Sequence, residues 1–258
     1  MRVWPRCGDR NLDRQAARSR PGGVGRPDDR EVCRAGQWRD PASLIGLFGG
    51  TFDPIHRGHL HAAEQVRRVL NLSEVRLILT ARPPHRSSPS ATIEHRWQML
   101  TRATRGRRGL RADNREIRRI GGASSFTVDT LAELRQERGS AQALVWCLGW
   151  DAFLDLETWK DWRQLIELGH LAVFRRPGAA GRPSPTLSSM ITRYGVAQPG
   201  ELSGKAAGGL VILEADMLDI SATEIRAKLA RKKDTARLLP AAVWSYIRQH
   251  QLYAGQPI

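Results

Sequence analysis

Cysteine is scarce in this chain: Cys7, Cys33 and Cys147 are an odd number without CxxC spacing, so neither a disulfide framework nor a zinc finger is expected and a reducing cytoplasm fits best. No apolar run approaches the ~20 residues that cross a bilayer, and no membrane association is expected. The start, MRVWPRCGDRNLDR, has arginines but no apolar segment of about 7–15 residues behind them, which argues against a secretory signal. A GK[ST] pair and a GxGxxG turn are both missing, so the chain has neither a Walker A loop nor the usual dinucleotide-binding turn. There is no internal repeat.

Acids are also few, 26 against 41 lysines and arginines, for a formal net charge of +15. Such a balance asks for an anionic partner: nucleic acid, a membrane surface or a phosphorylated small molecule. A nucleic-acid module would show aromatic platforms interleaved with basic residues, or a recognition helix. The aromatics sit instead near turns and helix starts, so no specific nucleic acid is expected. Most arginines are scattered among acids and apolar residues, as in RATRGRRGLRADNREIRRI (102–120), which reads as a solvated face.

Residues 1–42 hold ten arginines and six acids, the breaker PGGVGRPDD, and no apolar periodicity of 2 or 3.6. A disordered tail or a mis-assigned start codon would produce that texture, and the stretch is set apart from a domain expected over 43–254. From Leu44 short apolar runs alternate with amphipathic segments. LIGLF (44–48), VRLILT (75–80), ALVWCLG (143–149), HLAVF (170–174) and LVILEA (210–215) read as strands. HLHAAEQVRRVL (59–70), IEHRWQMLTRAT (93–104, with Ile93, Trp97, Leu100 and Ala103 as its stripe), FTVDTLAELRQER (126–138) and DWRQLIEL (161–168) read as helices. Residues 177–209 read as a surface excursion with one short helix near 185–194. Strands without polar alternation, separated by helices, imply a parallel sheet covered on both faces, a doubly wound α/β domain.

The densest chemistry is GLFGGTFDPIHRGHL (46–60), directly after the first strand. In an open parallel sheet, ligands bind beyond the carboxyl ends of the strands. Gly49 and Gly50 let the backbone turn and approach a ligand closely. Gly58 and His59 open a helix whose amides and positive dipole end attract anions. His56 and His59 can face one phosphate chain, and negative charge there would raise their pKa toward the cationic form. A zinc pair is the competing reading, but no third ligand has suitable spacing. Late in the chain, ISATEIRAKL (220–229) predicts a second helix start. Ser221 and Glu224 fit a capping box, and Thr223 and Arg226 share the first turn, which makes a second anion site.

His56-Arg57-Gly58-His59 carries the (H/T)xGH signature of the nucleotidyltransferase superfamily. With PPHR (83–86), SSFTVDTL (124–131), GWDAFLDLETW (149–159), HLAVFRRPG (170–178) and DISATEIRAKL (219–229), the chain resembles the bacterial nicotinate-nucleotide adenylyltransferases over residues 44–252. The resemblance implies a Rossmann-like fold. The implied reaction moves AMP from ATP to the phosphate of nicotinate mononucleotide, releasing pyrophosphate, with Mg2+ carried on the ATP and no organic cofactor. His56 and His59 would stabilise the transition state and Arg226 the leaving phosphates. Gly49, Gly50, Thr51, Phe52, Gly58, Ser221 and Thr223 would bind ATP; Ala222 stands where the family's ISSTxxR motif has a serine, so that contact is in doubt. Phe126, Thr127 and Trp159 would hold the nicotinate ring, with Phe126 in place of a frequent tyrosine, and Asp151 a ribose hydroxyl. The acceptor phosphate would fall to Arg175 or Arg176, or to His85 and Arg86. Other phosphorylated acceptors, such as phosphopantetheine or nicotinamide mononucleotide, are the alternative within the superfamily.

Overall fold

A computed structural model describes residues 43–254 apart from 83–87, 120–124, 177 and 215–216. The arginine-rich stretch 1–42, and His85 and Arg86 of the expected acceptor set, lie outside the described residues. Each apolar run forms a strand: β1 (Ile45–Gly50), β2 (Glu74–Leu79), β4 (Leu144–Gly149), β5 (His170–Arg175) and β6 (Leu210–Glu214), joined by β3 (Leu110–Asp113). They make one six-stranded sheet in the order β3-β2-β1-β4-β5-β6, with every neighbouring pair parallel. The helices are α1 (Arg57–Val69), α2 (Ile93–Thr104), α3 (Arg115–Arg118), α4 (Thr127–Arg138), α5 (Trp150–Leu154), α6 (Leu165–Leu168), α7 (Pro185–Tyr194), α8 (Ala222–Ala230) and α9 (Ala241–Gln249).

The strands are apolar at successive positions because both faces of the sheet are covered. On one face Leu77, Val145, Cys147, Ala172 and Phe174 pack with Leu60, Ala63 and Val66 of α1, Met99 and Leu100 of α2, Ile225 of α8 and Val243 of α9. On the other, Ile78, Leu144, Trp146, Leu148, Leu171 and Val173 pack with Leu131 and Leu134 of α4, Phe153 of α5, Leu165 of α6 and Leu187 of α7. The strand order reverses between β1 and β4, so the crevice at their carboxyl ends lies where the connections diverge to opposite sides. This is the place where open α/β sheets take their ligands.

Three expectations need correction. The stretch 102–120 is not only a solvated face, since β3 lies within it as the edge strand beside β2. Its polar pattern is explained by charge pairing across that edge: Arg76 bonds Glu74 at 2.8 Å and Asp113 at 3.3 Å, and Arg111 reaches Glu74 at 2.9 Å. Charged side chains also protect an edge from pairing with another chain. The excursion 177–209 does contain the expected helix, α7, capped by Ser184 Oγ accepting from Leu187 N at 3.1 Å. It is nevertheless no mere surface loop, because Leu187, Met190 and Leu202 are buried. In α2 the buried positions are Arg96, Met99, Leu100, Ala103 and Thr104, with Trp97 only half-buried, so the inward stripe contains an arginine.

Leu77 is completely covered on β2, between β1 and β3. Leu77→Ala should cost about 3 kcal/mol and lower the thermal midpoint by about 6–12 °C. Val69→Ala, at a position that is 53% exposed, should stay within about 0.5 kcal/mol of wild type in the same calorimetric scan.

Candidate active site

β1 ends in Gly49 and Gly50, and the chain then turns through residues 51–56 into α1. The turn needs glycine where it closes on other elements. A Cβ on Gly49 would lie 2.8 Å from the Trp146 ring, and one on Gly58 would lie 3.0 Å from His56 Nδ1 and 3.4 Å from Ile220 Cβ. Phe52 adopts the left-handed conformation at φ +48°. Its buried ring meets the His59 ring edge-on with centroids 5.1 Å apart. The Phe52 side chain therefore props a histidine.

α1 starts two residues before the expected His59, with His56 as its N-cap in extended conformation. The two imidazoles stack with centroids 3.7 Å apart. The His56 amide donates to His59 Nδ1 at 3.3 Å, so a neutral His59 carries its proton on Nε2 and offers that nitrogen as a donor. His56 is 4% exposed, and its Nδ1 is buried with no partner. Burial lowers the His56 pKa to about 4. Burial, then the neighbouring His56, hold His59 well below the usual imidazole range. Both rings are thus neutral in the free protein at neutral pH, and the cationic pair expected from the sequence requires an anion to be present.

The second motif meets this turn directly. Ser221 caps α8, its Oγ accepting from Glu224 N at 3.1 Å. The capping box is only half formed, because the Glu224 carboxylate pairs with Lys228 one turn on. Arg226 Nη1 donates to the carbonyl oxygen of Asp53 at 2.7 Å, and Nη2 approaches Thr223 Oγ1 at 3.4 Å. The histidine turn and the start of α8, 173 residues apart for this bond, are consequently in contact.

Two residues that hold the turn have no part in the motif reading. Asp53 is 5% exposed; its Oδ1 accepts from Tyr253 Oη at 2.7 Å and from Ala91 N at 3.1 Å, and its Oδ2 from Ser90 N at 2.7 Å. Arg96, 1% exposed, donates to the carbonyls of Thr51 (2.9 Å), Thr80 (2.7 Å), Ala81 (3.1 Å) and Ala91 (3.3 Å). A buried guanidinium thus satisfies four carbonyls, three just past the ends of β1 and β2 and one just before α2, which fixes the path of the turn. The signals were present but indirect: an arginine on a helical stripe, and an acid inside a glycine-rich turn.

The acceptor candidates gather at the neighbouring strand ends. Ser125 N donates to Arg82 O at 3.2 Å and Arg82 N to Ser125 Oγ at 3.3 Å, which ties the loop after β2 to the start of α4. Phe126 is the N-cap of α4 and Thr127 its first residue. Phe126 and the half-buried Trp159 both pack on the second-face core, and Lys160 Nζ stands 4.9 Å from the Phe126 ring centroid. Gly149 takes the N-cap of α5, and Asp151 follows in its first turn with an exposed side chain. At the end of β5 the Arg175 guanidinium lies 4.7 Å over the Trp150 ring, while Arg176 pairs with Asp219 at 3.2 Å. A separate cavity of about 490 Å³ is lined by residues preceding β1, β2 and β3, among them Leu44, Ser73 and Gly109. It opens at the amino ends of the strands, the far side from this site.

The cytidylyltransferase-like family matches residues 47–228. A Halorhodospira halophila protein named "Probable nicotinate-nucleotide adenylyltransferase" is 44% identical over 84% of this chain and 96% of its own length. One of the same name from Hahella chejuensis is 41% identical over 83% of this chain and 97% of its own. Among solved structures, the Plasmodium falciparum nicotinic acid mononucleotide adenylyltransferase complexed with NaAD superposes with a TM-score of 0.62 at 16% identity, covering 82% of this chain and 97% of that one. At that identity the likeness concerns the fold.

The histidine pair makes stability depend on pH. His56 binds its proton less well in the folded state (about 4) than unfolded (6.5). Its contribution is complete above pH 6.5 and is lost as pH falls through that window, to a total of about 3 kcal/mol. Urea unfolding at a series of pH values should show this decline, and His56→Asn should flatten it between pH 6.5 and 4. His170, also lowered by burial, remains in both proteins and cancels; equal slopes would show that His56 is not held neutral.

Proposed function

The chain belongs to the cytidylyltransferase-like family, among its nicotinate-nucleotide adenylyltransferases, and from that premise we propose how its residues carry adenylyl transfer. ATP gives its adenylyl group to the phosphate of nicotinate mononucleotide, forming nicotinate adenine dinucleotide and pyrophosphate in NAD biosynthesis. The observation that carries the assignment of roles is the bond from Arg226 to the Asp53 carbonyl, which sets the start of α8 against the His56–His59 turn.

The nucleophile is a phosphate oxygen that is already ionised near pH 7, so no general base is needed. The protein's work is to align the acceptor with the α-phosphate and to neutralise charge building on the leaving pyrophosphate. The His59 Nε2 proton, the His56 ring and the first amides of α1 face the phosphates from one side, with Thr51, Gly49, Gly50 and Gly58 shaping the close approach. Arg226, Thr223 and the capped start of α8 at Ser221 face the β and γ phosphates from the other. As the triphosphate enters, its charge raises the imidazole pKa values and a proton is drawn in, which strengthens donation when it is required.

Mg2+ arrives as part of the substrate. The donors gathered here are guanidinium, imidazole and amide groups, which suit phosphate oxygens. Asp53, the nearby acid, has both carboxylate oxygens engaged. The chain's residues therefore fit an ion held by the phosphates and its own waters. On the acceptor side, Thr127 and the amides opening α4 suit the nicotinate carboxylate, with Phe126 and Trp159 flanking the ring and Asp151 a ribose hydroxyl. Arg175, steadied on Trp150, suits the acceptor phosphate, as do His85 and Arg86 by their place in the PPHR loop.

Purified protein with Mg–ATP and nicotinate mononucleotide should release pyrophosphate, and His59→Ala should lower kcat by about 10²–10³-fold with an unchanged circular dichroism spectrum. Near wild-type turnover in that variant would remove His59 from the mechanism. Faster release with nicotinamide mononucleotide in a competition assay would reassign the acceptor.

A further inference from the structure

The last described turn of the chain reaches back into the first. Tyr253 is 4% exposed, and its hydroxyl donates to Asp53 Oδ1 at 2.7 Å across 200 residues. The same C-terminal segment also receives Arg57, whose amide donates to Leu238 O at 3.0 Å and whose Nε donates to Leu239 O at 3.1 Å. The turn carrying His56 is therefore clasped at two points. Both ends of the Tyr253–Asp53 link sit beside or within left-handed backbone, at Phe52 (φ +48°) and at Tyr253 itself (φ +65°). Residues with a Cβ hold that conformation only where surrounding contacts enforce it.

What stands next to Asp53 gives the link its meaning. Arg226 Nη1 bonds the Asp53 carbonyl at 2.7 Å, and the same nitrogen is 4.0 Å from Asp53 Oδ2. A carboxylate free to rotate at that range would close on the guanidinium as a two-bond pair, the geometry this pairing favours. Such a pair would compete with polyphosphate for the same donors. Here that rotation is opposed, because Oδ1 accepts from both Tyr253 and Ala91 and Oδ2 accepts from Ser90.

We infer that Tyr253 is a positioning residue for the nucleotide triphosphate: by occupying Asp53 Oδ1 it keeps that carboxylate from capturing Arg226 and leaves the guanidinium directed at the phosphates. Burial, followed by the Asp53 charge, pushes the phenol far above its usual pKa, so it remains a donor at every pH at which the protein works. The inference rests on the proposed adenylyl transfer only for the identity of the nucleotide that Arg226 meets.

The test is Tyr253→Phe in the full chain, which removes one oxygen and keeps the ring. The expected result is a rise of about tenfold in KM for Mg–ATP, the scale of one hydrogen bond to a charged group. KM for nicotinate mononucleotide should stay within about twofold, and the thermal midpoint should fall by only a few degrees. Calorimetric titration of Mg–ATP into both proteins at low temperature should show the same tenfold weakening without relying on turnover or on stability at assay temperature. ATP binding within about twofold of wild type, or an equal loss for both nucleotides, would overturn the inference. A wild-type protein that fails to turn over nicotinate mononucleotide would count against the proposed reaction alone, since the ATP titration still decides the role of Tyr253.

Discussion

The hydrogen bond from Arg226 to the carbonyl of Asp53 is the contact on which the organisation of the site depends. It joins a turn that leaves the first strand to a helix that begins more than 160 residues later. In the proposed triphosphate site the two elements complement each other: one offers neutral imidazoles and amides, the other a fixed positive charge. The doubly wound sheet makes the meeting possible, because α1 and α8 pack on the same face through Leu60, Val66 and Ile225. The strand order reversing at β1 and β4 then leaves both helix starts at the carboxyl edge of the sheet.

Around that bond the protein places its charges with restraint. Arg96 is spent on backbone carbonyls and never faces the crevice as a free cation. Asp53 is held in place by hydrogen bonds from three donors. The histidines are kept neutral by burial, and His59 also by the neighbouring His56. On the proposed roles, the free site carries little repulsion between its own positive groups and gains charge as phosphate arrives. This is a different arrangement from the one suggested by the overall +15; elsewhere among the described residues cations pair with acids, as Arg115 does with Asp113, Glu133 and Glu137.

Much of this was legible in the residues, for a physical reason. Strands buried on both faces must be apolar at consecutive positions, so β1, β2, β4, β5 and β6 announce themselves. β3 does not, because this four-residue edge strand carries Arg111 and Asp113 into ion pairs, whereas β6, at the opposite edge, keeps the apolar run LVIL. The two anion motifs were readable because helix caps and glycine turns are local devices with fixed spacing. Asp53, Arg96 and Tyr253 were not, since their partners are separated by up to 200 positions and leave no spacing to find. The protonation of His56 and His59 was equally out of reach: it is set by how deeply the fold covers the rings, which no motif records.

In the proposed mechanism both helix starts act on one polyphosphate. A double-mutant cycle on kcat/KM for Mg–ATP, using His59→Asn, Arg226→Gln and the pair together, addresses this most directly. Groups acting as a unit on the same leaving phosphates should give a combined loss smaller than the product of the single losses, with a coupling of at least about 1 kcal/mol. Losses that multiply to within about twofold would mean that the two residues work on separate objects, and the shared site would have to be abandoned.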